Sequence, residues 1–282
     1  MTDDLTVLFA DDRLTGTTPL RQAQLVMLRI LRIVDHVCRR HDIPYWLESG
    51  TLLGAIRHKG FIPWDDDLDI AMRRADFERF AAVAPRELPD DLFFQTAATD
   101  PGYRYVLPKV RDRRSLLVED RESAPYCQGI FVDIFPFDSY PNRTVMKALT
   151  LRHRLRLFRK RFAPGSAGRA AYTAGLYTAG LPLVVSLYAV EWAARRFRDM
   201  FLNRPGQEFL STGVEFYAKS PHAVKDIFPL TEVYFEGYKF FAPGNYDTYL
   251  RRKYGDYMTP PPAGQRRGHH VSRLVVDMTQ EA

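Results

Sequence analysis

Trp64-Asp65-Asp66-Asp67-Leu68-Asp69-Ile70 constrains this 282-residue chain more than any other stretch. Four carboxylates in five positions repel one another, so keeping them together requires open solvent or a cation between them. Open solvent does not suit Trp64, Leu68 and Ile70, which flank and interleave the acids. Successive side chains of a strand face opposite ways. A strand over 67–72 therefore sends Leu68 and Ile70 into a core and sets Asp67 and Asp69 on one shared face. Asp65 joins that face if the strand begins earlier. Paired hard oxygen ligands suit Mg2+ or Mn2+, with Asp65 and Asp66 as further candidate ligands. A calcium loop is a poor fit, because it wants glycine at the sixth position, where Ile70 stands.

Two further elements bear on the same chemistry. Phe131-Val132-Asp133-Ile134-Phe135 is an apolar strand with one embedded carboxylate, whose burial is unfavourable without a partner. A metal shared with Asp67 and Asp69 would supply that partner; a satisfied structural aspartate is the alternative. Glu48-Ser49-Gly50-Thr51-Leu52-Leu53-Gly54 is a small-residue turn between a strand and a helix. There the backbone N–H groups of Gly50 and Thr51 can approach a phosphate at the helix N-terminus. Arg57, His58 and Lys59 follow and are candidate phosphate contacts, or ordinary surface residues.

Apolar residues recurring every three to four positions from Leu20 to Val37 predict a helix from Pro19 to about His41, capped by Thr18. Pro44 ends it. A strand at 45–47, a short helix through Ile56, a strand over 67–72 and a helix over 74–82 come next. Strands over 92–95, 103–110, 115–119 and 130–134 complete an α+β reading. Residues 1–17 read as an irregular lead-in, 18–146 as the catalytic core, 147–204 as an insertion, and 205–282 as the return of the core. Aromatic strands are expected near Tyr234–Phe241.

The positive charge of the chain is local. Eleven of its 40 basic residues and one of its 34 acidic residues lie between Lys147 and Arg198, leaving 29 basic and 33 acidic residues elsewhere. Within this insertion, Ala170–Val190 runs about twenty residues without a charge, diluted by Gly175, Gly180 and Pro182. An interfacial or re-entrant helical segment fits it better than a soluble helical hairpin, and a true span fits it least. Its flanking arginines suit an anionic membrane surface, at about 1 kcal/mol each. The two cysteines share no ligand spacing, and Met1-Thr2-Asp3-Asp4 has no secretory character. A cytoplasmic protein, peripheral at the inner face of the membrane, is the expectation. Nucleic acid is not an expected partner, because the basic stretch carries no recognisable reading motif.

Glycine turn, paired-carboxylate strand and third carboxylate, in that order, resemble the minimal pattern of the nucleotidyltransferase fold. Residues 49–69, Ser-Gly-Thr-Leu-Leu-Gly-Ala-Ile-Arg-His-Lys-Gly-Phe-Ile-Pro-Trp-Asp-Asp-Asp-Leu-Asp, look like the signature of the LicD family, which includes the fukutin-related transferases. Pro108-Lys109-Val110-Arg111-Asp112, Gly129 through Pro136, Tyr254-Gly255-Asp256-Tyr257, Pro260-Pro261 and His269-His270 look like later blocks of the same family. The resemblance implies a nucleotidyltransferase-like mixed β-sheet flanked by helices. It implies transfer of a phospho-alcohol, such as phosphocholine, from a CDP-linked donor to a sugar hydroxyl of a cell-surface or lipid-linked glycan or a teichoic acid, with release of CMP. Asp67, Asp69 and Asp133 would carry the catalysis, with Asp133 as ligand or base. Lys109, Arg111, Arg266, His269 and His270 would contact the donor phosphates. Trp46 and Trp64 are candidates for an aromatic box around a cationic head. A nucleotidyltransferase that releases pyrophosphate and a non-catalytic membrane-surface adaptor are the alternatives.

Overall fold

A single helical turn, α1 (Leu5–Leu8), precedes the long helix α2 (Pro19–Arg40) in the computed structural model. The structure describes residues 5–103, 105–119, 126–146, 196, 200–213, 221–266, 268 and 271–280. The start of α2 follows from its sequence. The Thr18 hydroxyl accepts from the Arg21 N–H at 3.1 Å, and Pro19 occupies a position whose N–H has no helical partner. Met27, Ile30, Leu31, Ile33, Val34 and Val37 form a fully buried face. Thr18→Ala is expected to cost about 1 kcal/mol. A urea midpoint that falls with unchanged slope would show it, and an unmoved midpoint would show that the cap contributes nothing.

The remaining elements are β1 (Trp46–Leu47), α3 (Ser49–Arg57), β2 (Asp69–Arg73), α4 (Arg74–Glu87), β3 (Leu92–Gln95), β4 (Lys109–Asp112), β5 (Leu116–Glu119) and β6 (Phe131–Tyr140). Then come β7 (Phe209–Thr212), β8 (His222–Ala223), α5 (Val224–Ile227), β9 (Thr231–Phe235), β10 (Tyr238–Ala242), α6 (Tyr246–Tyr254) and β11 (Val271–Val275). Helices and sheet strands are mixed along the chain, as the α+β reading expected.

The chain divides into two compact units, Met1–Pro136 with Lys225–Ala282, and Phe137–Val224. In the first, the sheet order is β1-β2-β6-β4-β3, so β2 and β6 are neighbours. Lys109 pairs across from Asp133, and Trp46 across from Ala71. β9 and β10 form a hairpin closed by Glu236 and Gly237, both at positive φ (52° and 83°), as a two-residue turn of that hand requires. In the second unit, β7 pairs with the later half of β6 and with β8, and Tyr140, Met146 and Leu202 form a small core.

Four boundaries differ from the sequence reading. The strand expected over 103–110 starts only at Lys109. Pro108 has no N–H to give a ladder, and the Tyr103 hydroxyl ties the preceding loop to the Leu107 carbonyl at 2.6 Å. The strand expected over 130–134 runs on to Tyr140, with Pro136 between its pairing to β4 and its pairing to β7. α4 continues past Ala82 to Glu87, because Ala84 keeps its inner face buried. The paired strand at the acidic cluster begins at Asp69, not Asp67.

Within the lead-in, residues 5–17 are tied down through Arg13. Arg13 is 2% exposed and its guanidinium binds Asp112 at 2.6 Å, the Val276 carbonyl at 2.6 Å and Asp11 at 2.8 Å. Most of the basic insertion, including the uncharged stretch Ala170–Val190, lies outside the described residues. Among the described residues no helix is long and apolar enough to cross a membrane.

Candidate functional site

Leu68 and Ile70 are fully buried, and between them Asp69 is 7% exposed. The strand is thus buried on both faces rather than half-exposed as its alternation suggested, and Asp67 sits in the segment leading into β2. The start of β2 is fixed from two sides. The Asp69 N–H donates to the Thr51 hydroxyl at 2.8 Å, and the Asp69 carbonyl accepts from the Glu48 N–H at 3.0 Å. Across the sheet, the Asp133 N–H donates to the Leu68 carbonyl at 2.9 Å. These bonds bring the neighbourhoods of Asp67, Asp69 and Asp133 to one place.

Burial pushes the Asp69 carboxyl well above the usual carboxylate range, and the nearby charges of Asp67 and Asp133 push it further. Asp133 is likewise raised by burial, opposed by Lys109, whose ammonium lies 2.6 Å from one carboxylate oxygen. Lys109 is buried and stands 3.3 Å from the centre of the Phe131 ring. Its reach to Asp133 follows from the register that places the two directly opposite on β4 and β6.

Glu48, Tyr249, Lys253 and Tyr254, which the sequence reading did not assign to the site, belong beside it. Glu48, 3% exposed, accepts from the Tyr249 hydroxyl, and the Lys253 ammonium reaches Glu48 at 2.6 Å and the Ser49 hydroxyl at 2.5 Å. Lys253 also acts on Asp69, lowering its proton affinity. Tyr254 is pushed up by burial and then by Glu48, Asp69, Asp65 and Asp67, so the end of α6 adjoins the acidic cluster. Ser49 adopts φ 50°, an uncommon conformation for a residue with a side chain, directly under this lysine. The only local signal for Lys253 is its place in a basic last helical turn, which serves equally well as a complement to the helix dipole.

A second group gathers around Trp64. The His58 ring meets it edge-on at 6.3 Å, and the Arg266 guanidinium lies 5.0 Å from its centre. Arg57 bonds the Tyr257 carbonyl at 2.7 Å and feels the charge of Arg266. His58 is lowered by burial and then by Arg57, which favours its neutral form. A side chain at Gly268 would strike the Asp66 carboxylate and the Trp64 carbonyl at about 3 Å, so this chain segment needs glycine to pass there.

The other expected contacts are placed as follows. A side chain at Gly50 would meet the Asp65 carboxylate at 2.8 Å, so Asp65 lies over the first turn of α3. Thr51 is engaged in holding Asp69. Lys59 is exposed on a loop whose next residues are held by the Glu236 carboxylate, which accepts from the Phe61 N–H at 3.0 Å. Arg111 is 2% exposed and bonds Gln95 at 2.5 Å and the Gly129 carbonyl at 2.7 Å, a role within the sheet. Trp46 is fully buried against Phe228, consistent with packing. His269 and His270 lie outside the described residues.

Among the described residues no three His, Cys, Asp or Glu side chains converge as a ready-made metal cluster. Magnesium does not require one, since it is usually held by one or two carboxylates together with substrate phosphates and water. Asp67 and Asp69 supply such a pair, and their repulsion, felt in the raised Asp69 carboxyl, is the cost that a cation would remove. The donor set therefore fits a hard cation that is completed by substrate.

Residues 42–166 match the family model described as LicD/FKTN/FKRP, nucleotidyltransferase domain. Over those residues the chain is similar to the LicD family. The lipopolysaccharide cholinephosphotransferase LicD of Haemophilus influenzae is 29% identical over 266 residues, covering 91% of this chain and 98% of that protein. The ribitol 5-phosphate transferase FKRP of Homo sapiens is 32% identical over 124 residues, covering 44% of this chain but 22% of that protein. The family-model match over 42–166 contains the whole segment from Glu48 to Asp69, β4 and all of β6. It stops well before Lys253 and Tyr254, which α6 brings to the same place.

Proposed function

We propose that this chain is a LicD-type transferase that moves a phospho-alcohol from a CDP-linked donor to a sugar hydroxyl of a cell-surface glycan, releasing CMP. The nucleotidyltransferase-like reading of its sheet is part of the same proposal. The observation that carries it is the gathering of Asp67, Asp69 and Asp133 beside Lys109, within a sequence that matches the LicD family model.

The reaction balances as an in-line displacement. The sugar oxygen bonds to the phosphorus that bears the alcohol, the bond from that phosphorus to the oxygen of CMP breaks, and the hydroxyl proton leaves to a carboxylate. Mg2+ or Mn2+, held by Asp67 and Asp69, would polarise the phosphates and stabilise the leaving oxygen. Asp133 is assigned to the proton. Lys109 fixes one of its oxygens, and burial raises its proton affinity, as suits an acceptor of the hydroxyl proton. Lys253 and Tyr249 hold Glu48 in place under the acidic pair. Arg57, His58 and Arg266, gathered at Trp64, are assigned to the donor phosphates, with His269 and His270 further along the same segment. The arginines of 147–198 are assigned to an anionic membrane surface that carries the acceptor, which makes this a peripheral protein of the inner face.

Incubation of the full chain with Mg2+ and CDP-choline, CDP-ethanolamine, CDP-glycerol or CDP-ribitol is expected to release CMP from at least one donor. Pyrophosphate release from CTP, with no CMP from any CDP-alcohol, would replace this reading with nucleotidyl transfer.

A further inference from the structure

Arg32 stands out among the cations of the first unit. Its guanidinium lies 4.1 Å from the centre of the Tyr238 ring and 5.1 Å from that of Phe9, and among the described residues it has no carboxylate partner. Its neighbours are spent. Arg39 binds Asp35 at 2.7 Å and Glu232 at 2.9 Å, Arg40 faces Glu87 at 3.6 Å, and Lys239 lies 4.0 Å from Glu232. Asp35, the single acid in the wall, is further occupied by the Tyr45 hydroxyl at 2.6 Å. These groups line one cavity of about 500 Å³ between α2, β10 and Phe9. One helical turn beyond Arg32, His36 faces the same cavity with its ring edge-on to Phe9, and its buried Nε2 has no hydrogen-bond partner. Arg32 and Tyr238 also form the wall of an adjoining cavity of about 380 Å³.

We propose that this cavity is a second ligand site, separate from the acidic cluster, that takes a phosphate-bearing organic anion. The chemistry follows from the wall. A guanidinium held near two ring centres, with no carboxylate partner among the described residues, keeps N–H donors for two oxygens of a phosphate. His36 adds a ring nitrogen that has no hydrogen-bond partner, and the exposed Lys239 adds charge. Phe9, Tyr238 and Phe240 leave apolar room for the rest of the molecule, and the volume lies within the range of about 300–1,000 Å³ usual for small-molecule sites. None of Glu48, Asp67, Asp69, Lys109, Asp133 or Lys253 lines it. A soluble sugar phosphate and a phospholipid headgroup present the same chemistry to these residues.

The test uses the full chain labelled with 15N-histidine, which carries seven histidines, the His36 signal being assigned by its loss in His36→Gln. Titration with glucose 1-phosphate is expected to move the His36 ring signal saturably, and inorganic phosphate to move it more weakly. Arg32→Gln should weaken the response about tenfold or more. Arg32→Lys, which keeps the charge without the guanidinium, should fall between them and serves as the deciding variant if Arg32→Gln does not fold. In a separate arm, flotation with phosphatidylglycerol vesicles but not phosphatidylcholine vesicles, lost in Arg32→Gln, assigns the ligand to a lipid headgroup. Soluble binding without Arg32-dependent flotation assigns it to a free phosphate ester. The proposal fails if neither probe engages the site, or if both Arg32 variants respond like the wild type.

Discussion

Asp69→Asn is expected to lower CMP release by about three powers of ten, because several kcal/mol of transition-state stabilisation are lost with one metal-binding oxygen. The substitution keeps the shape of the side chain and leaves the Asp69 N–H bond to Thr51 intact. A second effect separates a catalytic from a merely structural role. Burial, Asp67 and Asp133 raise the Asp69 carboxyl in the folded protein. Its contribution to stability is thus full below the ordinary carboxylate range and is lost as pH rises through the folded value. At neutral pH and without divalent ions, Asp69→Asn should therefore melt higher than the wild type, and its stability should vary less between acid and neutral pH. Thermal melts in chelator at two pH values read this out. A variant that is both active and less stable would contradict it.

Arg13→Ala is expected to destabilise the protein by about 3–5 kcal/mol, the range seen when one partner of a buried ion pair is removed. Asp112 is fully buried and would be left without its guanidinium partner, and the Val276 carbonyl would lose its donor. Asp112→Asn introduced into Arg13→Ala should return part of the loss, because the stranded carboxyl goes with it. Equilibrium urea unfolding measures both, and a loss below about 1 kcal/mol would mean that water or rearrangement satisfies Asp112.

The contrast between these two residues shows what could be read in advance. The acidic segment declares itself locally, since Leu68 and Ile70 alternate with carboxylates and only a strand sorts them onto two faces. Helix α2 does so too, through Thr18, Pro19 and a sustained apolar period. Arg13 gives no such sign. Beyond nearby Asp11, its partners are Asp112 and Val276, 99 and 263 positions away, and an arginine in a lead-in without periodicity looks like any surface residue. Lys253 and Glu48 were hidden for the same reason: their bond joins positions 205 apart, and each has an ordinary local explanation. Asp133 stood out because an acid among four apolar neighbours has no bland surroundings. Arg111 read as a phosphate contact because its charge was visible, whereas its sheet partners Gln95 and Gly129 were not.

The most direct test of a cation shared by the strand carboxylates is Mn2+ binding to the full chain, followed by electron paramagnetic resonance with and without a CDP-alcohol. Wild type should bind Mn2+ more tightly when the donor is present, since the donor's phosphates complete the coordination begun by Asp67 and Asp69. Asp67→Asn combined with Asp69→Asn should abolish that donor-dependent binding. Equal Mn2+ binding by the wild type and the double variant, with the donor present, would contradict the account.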